Sequence, residues 1–374
     1  MKILGIETSC DETAAAVVED GVRVISNVVN SQVDIHAKYG GVVPEVAARS
    51  HIEVVNLVIS EAVEGAGGWD EIDAIAVTHM PGLMGSLLIG TLAARTLAVL
   101  KKKPLYLVHH IEGHIYANFL RFAHEEKPCF PSSRGRPAKP DQAGCSPSLT
   151  QQGGIFRDLP RFPILAMVVS GGHTQLIFMR GHGDFDVIGT TRDDAVGEVF
   201  DKVAKIIGLP YPGGPAIGKA ALLGDRERYK LPKAKLDTPY DFSFSGLKTA
   251  VLRAVQKEVG KGLDFPSHGL AELLSEEQRN DFAASFEKVA VETLVDKLLK
   301  AYAEYEPATV VIAGGVAANG FLREEIARQL PCSIDYAAME FCTDNAAMIA
   351  SAGYFRVLTG APADPYEVDV SPTK

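Results

Sequence analysis

No two of the five cysteines, Cys10, Cys129, Cys145, Cys332 and Cys342, form a CxxC pair, and their odd number and scatter leave no disulfide framework. That is the cysteine usage of a reduced, cytosolic protein. The opening Met1-Lys2-Ile3-Leu4-Gly5-Ile6-Glu7 lacks the long apolar core of a secretion signal. No run approaches the roughly 20 apolar residues that cross a bilayer. The most apolar stretch, 83–100, is broken by Gly85, Ser86, Gly90, Thr91, Arg95 and Thr96, and reads as a buried amphipathic helix. A cytoplasmic protein without a membrane partner is expected. The chain has no GxxxxGK[ST] loop, which excludes a P-loop ATPase. It has no GxSxG elbow and no cysteine beside an obvious base, so covalent catalysis is not indicated. A formal net charge of −10 argues against indiscriminate polyanion binding, though not against a local basic surface.

What is present is a long chain of 374 residues with 47% hydrophobic residues and 35 glycines, enough for two domains or one large α/β domain. The pattern repeats one grammar. The first half reads as strands over 2–8, 14–19 and 22–28, a helix over 47–64, a strand over 74–79, a helix over 83–101 and a strand over 105–108. The second half reads as strands over 164–169, 174–179 and 185–190, helices over 198–207, 214–221 and 275–304, a strand over 309–313 and a helix from about 319. Strand, polar turn, strand, strand, then helices and a later strand is the grammar of duplicated ribonuclease H-like lobes; periodicity alone does not separate it from other α/β folds. Between the halves, 125–163 is rich in proline, glycine and serine and has little apolar periodicity. It cannot bury enough surface to offset chain entropy, so a mobile insert is expected. Arg134, Arg136, Lys139, Arg157 and Arg161 make it locally basic and able to contact phosphates.

Chemistry concentrates in a few phrases. His109-His110-Ile111-Glu112-Gly113-His114 follows a strand end, and on a helix His110 and His114 project from one face. Imidazole is the commonest transition-metal ligand, and the distant Asp344 can supply a third donor. Taken alone, the pair reads as readily as two polar helix residues. The zincin peptidase pattern fails, because Ile111 rather than glutamate follows His110. Asp11 and Glu12 sit in the turn after the first strand, where they can orient a metal or a water or simply be solvated. Ser170-Gly171-Gly172-His173 occupies the equivalent turn of the second half. Gly213-Gly214 precedes one helix and Gly314-Gly315 opens another. Glycine loops between a strand and a helix cradle anions, and several in one chain favour a nucleotide site.

Taken in order, GIETSCDETAAAVVEDG, HIEGHIYA, VVSGGHTQL, GEVFDKVAKIIGLPYPGGP, FSFSGLKTA, AGGVAANGFLR and FCTDNAAMIA resemble the bacterial tRNA N6-adenosine threonylcarbamoyltransferase family, of TsaD type. The resemblance runs from Met1 to about Gly360 and is broken by the insert, which is longer than the family's usual connection. It implies an α/β fold of two ribonuclease H-like, actin-like lobes of the ASKHA superfamily facing across a cleft. Residues 1–124 would form the first lobe, with 335–374 packing back on it, and 164–334 the second lobe, with a helical region at 215–305. The implied reaction moves a threonylcarbamoyl group from threonylcarbamoyl-adenylate to N6 of the adenosine 3′ to certain anticodons. One divalent metal per subunit, iron before zinc, would be held by His110, His114 and Asp344. Val168, Val169, Ser170, Gly171, Gly172, Asp201, Gly214 and Asn319 would line the adenylate and threonyl pocket, with Asp11 and Glu12 as catalytic acids beside the metal. Implied partners are tRNA, a TsaB-type paralogous ASKHA protein and a small TsaE-type P-loop ATPase. Two rival classes are a metal-dependent peptidase and a non-catalytic nucleotide-holding module. The misplaced Glu112 speaks against the first, and the intact metal and glycine motifs against the second.

Overall fold

A computed structural model describes residues 1–123 and 161–373. The insert expected at 125–163 therefore lies almost entirely outside the described residues, with Cys129, Cys145, Arg134, Arg136, Lys139 and Arg157.

The first half begins with three strands, Lys2–Glu7 (β1), Glu12–Glu19 (β2) and Arg23–Ser31 (β3). A short helix, Val33–Ala37 (α1), leads to the long helix Pro44–Gly65 (α2). Then come Ala74–Met80 (β4), Met84–Lys101 (α3), Leu105–His109 (β5), His110–Tyr116 (α4) and the short strand Arg121–Phe122 (β6). The sheet order is β5-β4-β1-β2-β3-β6, antiparallel through β1-β2-β3 and parallel between β1, β4 and β5. The second half repeats this plan. Ile164–Val169 (β7), Thr174–Gly181 (β8) and Asp184–Thr190 (β9) form the antiparallel part. Helices Val196–Ile207 (α5), Gly213–Ala221 (α6), Ser245–Glu258 (α7) and Glu276–Tyr305 (α8) precede Thr309–Ala313 (β10). Gly320–Gln329 (α9), Ile334–Tyr336 (β11) and Ala346–Thr359 (α10) complete the chain. The second sheet runs β11-β10-β7-β8-β9, with β10 parallel to both β7 and β11.

Strands β1 and β7 are buried on both faces because each sheet is covered on both sides, which is why ILGIE and ILAMVV read as continuous apolar runs. One core lies between α2, α3 and the first sheet, and another between the second sheet and α5 to α9. A third is shared by the halves: α4 and α10 bury Ile111, Ile115, Met348 and Ile349 among Ile3, Ala14 and Ala16 of one sheet and Ile164, Ala166 and Val168 of the other. The C-terminal helix thus packs directly on β1. Gly5 makes this approach possible, since a Cβ there would stand 2.2 Å from the Ala346 carbonyl oxygen and 2.6 Å from the Ala350 nitrogen. Neither backbone atom can yield. Gly5→Ala is therefore expected to destabilise the fold by about 3 kcal/mol or more, the upper range for overpacking, measured by urea unfolding.

Helix α3 departs from the buried helix expected over 83–100. It buries one stripe, Ser86, Leu87, Gly90, Thr91, Ala94 and Ala98, and leaves Leu88, Leu92 and Leu100 exposed. The helix is long and apolar enough to cross a membrane by length and composition, but its inner stripe packs on the sheet of this lobe. Its neighbour α2 exposes Ile52 and Leu57.

Candidate active site between the lobes

Strand β5 passes into α4 without a loop. The His109 side chain accepts a hydrogen bond from the Ile111 backbone N–H and so caps the helix. The cap starts the helix at His110 and places His110 and His114 one turn apart, with ring centroids 4.7 Å apart. Both rings are buried. Asp344 comes from the turn before α10, where Asn345 caps the helix by accepting from the Met348 N–H. One oxygen, Asp344 Oδ1, lies 3.2 Å from His114 Nε2 and 3.6 Å from His110 Nε2. The three donor atoms lie within 4.8 Å of one another, a group able to hold a divalent metal.

The electrostatics of the group suit a cation. Burial pushes the Asp344 carboxyl up, but the neighbouring His110 and His114 outweigh it and hold the group well below the usual carboxylate range. Burial likewise disfavours charge on His110, yet Asp344 and Glu7 raise it to about 9. Without a metal, this site therefore keeps a proton on His110. His114 Nδ1 is buried without a hydrogen-bond partner among the described residues, and Nε2 faces Asp344 Oδ1 at 3.2 Å. A buried imidazole left unsatisfied is costly unless something accepts its lone pair. Two imidazoles and a carboxylate around one point are a donor set for Fe(II) or Zn(II) that leaves coordination positions open. The residues present fit a metal.

Glu112, from the same helix, is not part of this group. It is buried, and its Oε2 accepts from Arg356 Nη2 at 2.6 Å and Nε at 3.2 Å. A carboxylate held in an ion pair with α10 cannot serve as the base of a peptidase.

Asp11 and Glu12 lie where the β1–β2 hairpin turns, held by Gln32, whose N–H donates to the Asp11 carbonyl at 3.0 Å. Glu12 is pushed up to about 9, first by burial, then by the charges of Asp344 and Asp11. Glu12 therefore keeps its proton at neutral pH. In the second half, the Ser170–His173 turn closes on itself, with the Ser170 N–H donating to the His173 carbonyl at 2.8 Å. Helix α5 begins against this turn. Gly197 permits the contact, since a Cβ there would meet the Ser170 carbonyl oxygen at 2.4 Å.

Of the remaining expected pocket residues, Val168 and Val169 are fully buried strand residues, so only their backbone can meet a ligand. Gly171, Gly172 and Gly214 border open space. Asp201, raised by burial and by Asp11 across the cleft, accepts from the Gly213 N–H at 2.6 Å. Asn319 caps α9 through its Oδ1 and donates from Nδ2 to Glu287 Oε1 at 2.8 Å, which brings it beside α6. A cavity of about 450 Å³ is lined by Gly40 of the first half and by Asp201, Lys205, Gly208 and Tyr211 of the second.

Two residues were not singled out by sequence reasoning. Glu7, within GIETSC, is buried against His110. His173, within SGGHT, has its ring centroid 5.8 Å from that of His110 and is pushed down to about 3 by burial and by the neighbouring histidines. Both stand in quoted motifs, but neither has a partner close in sequence to mark it.

The tRNA N6-adenosine threonylcarbamoyltransferase (TsaD) family model matches residues 23–138 and 148–351, passing over a few residues of the insert. The chain is 47% identical over 372 residues to the tRNA N6-adenosine threonylcarbamoyltransferase of Thermomicrobium roseum, covering 97% of this chain and 94% of that protein. It is 48% identical over 366 residues to the protein of that name from Symbiobacterium thermophilum, covering 97% and 93%. Among solved structures, T. kodakarensis HypF superposes with a TM-score of 0.57 at 12% identity, over 96% of this chain and 48% of that one. Full-length HypF in its phosphate- and nucleotide-bound form gives 0.53 at 13% identity, over 96% and 47%. At that identity the likeness speaks for the fold alone, a two-lobed α/β architecture. On the match along both lobes, the chain belongs to the tRNA N6-adenosine threonylcarbamoyltransferase family.

Proposed function

We infer that this chain is an acyltransferase that places a threonylcarbamoyl group on N6 of an adenosine in tRNA. The observation that carries the reading is 47–48% identity along nearly the whole chain to relatives of that name, joined to a His110–His114–Asp344 group, with both histidines buried, that is able to hold a metal. The donor is threonylcarbamoyl-adenylate, and the acceptor is the adenosine 3′ to the anticodon in tRNAs that read codons beginning with A. In the transfer, the N6 nitrogen forms a bond to the carbamoyl carbon. The bond from that carbon to the phosphate oxygen breaks, and AMP leaves. Because the donor is already a mixed anhydride, no protein nucleophile is needed.

His110, His114 and Asp344 hold one divalent metal, iron before zinc. When bound, it supplies Lewis acidity to the carbamoyl carbonyl. The remaining work falls to the chain. Asp11 takes the proton that N6 must lose. Glu12, held protonated by burial and by its acidic neighbours, orients the pair. Asp201, Gly214, Asn319 and the backbone of Val168 to Gly172 seat the adenylate, with its phosphate on backbone N–H groups. The segments 1–124 with 335–374, and 164–334, act as the two walls of the cleft, and the protein works in the cytoplasm.

Partners are a TsaB-type paralogue and a TsaE-type ATPase. The paralogue pairs lobe to lobe through α2, extended by α3: Leu57 and Leu92 are 69% and 60% exposed on these adjacent helices, more apolar surface than isolated exposed leucines explain. Leu57→Glu combined with Leu92→Glu should abolish the complex on size-exclusion chromatography while leaving the fold intact. An unchanged elution profile would remove this surface from consideration. The reaction itself is tested by reconstitution with tRNA, threonine, bicarbonate, ATP, the adenylate-forming enzyme and the partners, followed by nucleoside analysis. Absence of threonylcarbamoyladenosine from the complete mixture would overturn the reading.

A further inference from the structure

Glu7 is a carboxylate in the middle of a protein, fully buried at the end of β1. No guanidinium or ammonium pairs with it among the described residues. A buried charge without a counter-charge is expensive, so its surroundings must account for it. Three groups do. The Ser9 backbone N–H donates to its Oε1 at 2.5 Å. The Thr78 hydroxyl, from the neighbouring strand β4, donates to Oε2 at 2.5 Å. The third is His110, whose Nδ1 lies 3.1 Å from Oε2, with the Ser9 hydroxyl 3.2 Å from the same nitrogen. The carboxylate is thus fixed by the backbone and by an adjacent strand, and it presents a fixed acceptor to one ring nitrogen.

We propose that Glu7 is the positioning residue of the metal group: it holds His110 in the tautomer with the proton on Nδ1 and aims the Nε2 lone pair at the metal. This rests on the reading of His110, His114 and Asp344 as metal ligands. The two nitrogens of an imidazole face opposite ways, and the one that donates a hydrogen bond leaves the other as the ligand atom. The geometry matches, since His110 Nε2 is the nitrogen that faces Asp344. A carboxylate behind a ligating histidine also raises the ligand's basicity. His114 has no such support, because its Nδ1 is without a partner among the described residues. The two histidines are therefore unequal: His110 is preset and His114 is free to adjust. Glu7 also ties the metal group to the acids, because the turn it braces through Ser9 is the one that carries Asp11 and Glu12.

The test uses cobalt(II) as a spectroscopic probe in the full-length chain, with affinity read by competition against a chromophoric chelator. Glu7→Gln keeps the size of the side chain and removes its charge. It should weaken cobalt affinity about 10- to 100-fold, the usual effect of losing an outer-shell partner, and alter the visible d–d absorption. Thr78→Val, which frees Oε2, should shift both readouts in the same direction by a smaller factor. A merely structural Glu7 would lower the melting temperature while the folded protein bound cobalt with unchanged affinity and spectrum, and that result would overturn the proposal. Should Glu7→Gln not fold, Thr78→Val decides on the same two readouts. His110→Ala separates this failure from failure of the metal reading. Cobalt lost in His110→Ala but bound normally by Glu7→Gln rejects the positioning role alone. Cobalt retained by His110→Ala rejects the metal site itself.

Discussion

Replacing His110 or His114 by alanine is expected to strip the metal from the folded protein and to abolish tRNA modification. Each removal takes away one of three donors, so affinity should fall by more than the roughly 100-fold that marks the upper end of an outer-shell loss. The two variants should differ in stability. His114→Ala removes the imidazole whose Nε2 lies 3.2 Å from Asp344 Oδ1 and so leaves that carboxylate short of one neighbour. His110→Ala also withdraws a donor from the buried Glu7 carboxylate, and leaving such an acceptor short costs about 1–3 kcal/mol. Metal analysis, thermal melting and nucleoside analysis of the three proteins check the expectation. Stoichiometric metal in the double variant, with modification intact, would end the assignment.

Asp11→Ala should lower kcat far more than it weakens adenylate binding. A group that accepts a proton as the N6–carbon bond forms acts in the transition state, so its loss falls on kcat, by about 100- to 10,000-fold for a general base. Glu12 should behave differently. Burial is the first cause that raises its carboxyl, ahead of the charges of Asp344 and Asp11. Glu12→Gln then replaces one neutral hydrogen-bonding group by another and should keep most of the activity, whereas Asp11→Asn should not. Single-turnover kinetics with preformed threonylcarbamoyl-adenylate separates binding from transfer. A kcat for Asp11→Ala within about threefold of the parent, near 0.7 kcal/mol, would show that the base lies elsewhere.

Much of this molecule is legible without coordinates. Alternating and continuous apolar runs cut by glycine turns mark both hairpin sets, and the observed β1 to β5 and β7 to β10 fall within a few residues of where periodicity puts them. The His-x3-His spacing declares a shared helix face, because four residues make about one turn. Helix α10 is not legible in this way. Ala346 to Gly353 are buried on every side between the two sheets, and a helix that is apolar all round carries no 3.6-residue period to detect. The exposed stripe of α3 is hidden for the opposite reason: apolar residues on both of its faces make composition blind to which face meets the core.

The site divides along the same line. Local spacing determined that His110 and His114 share a helix face. It could not determine that Asp344 would reach them, because that contact is made by α10 folding back onto β1 through Gly5, across more than half the chain. Nor could it distinguish Glu7 from any other strand-end acid. Its character comes from Thr78 on a neighbouring strand and from a histidine on α4. Sequence determined the elements and the donors of this protein. Only tertiary packing decided which carboxylates are buried beside which imidazoles, because burial and charge are properties of neighbours in space.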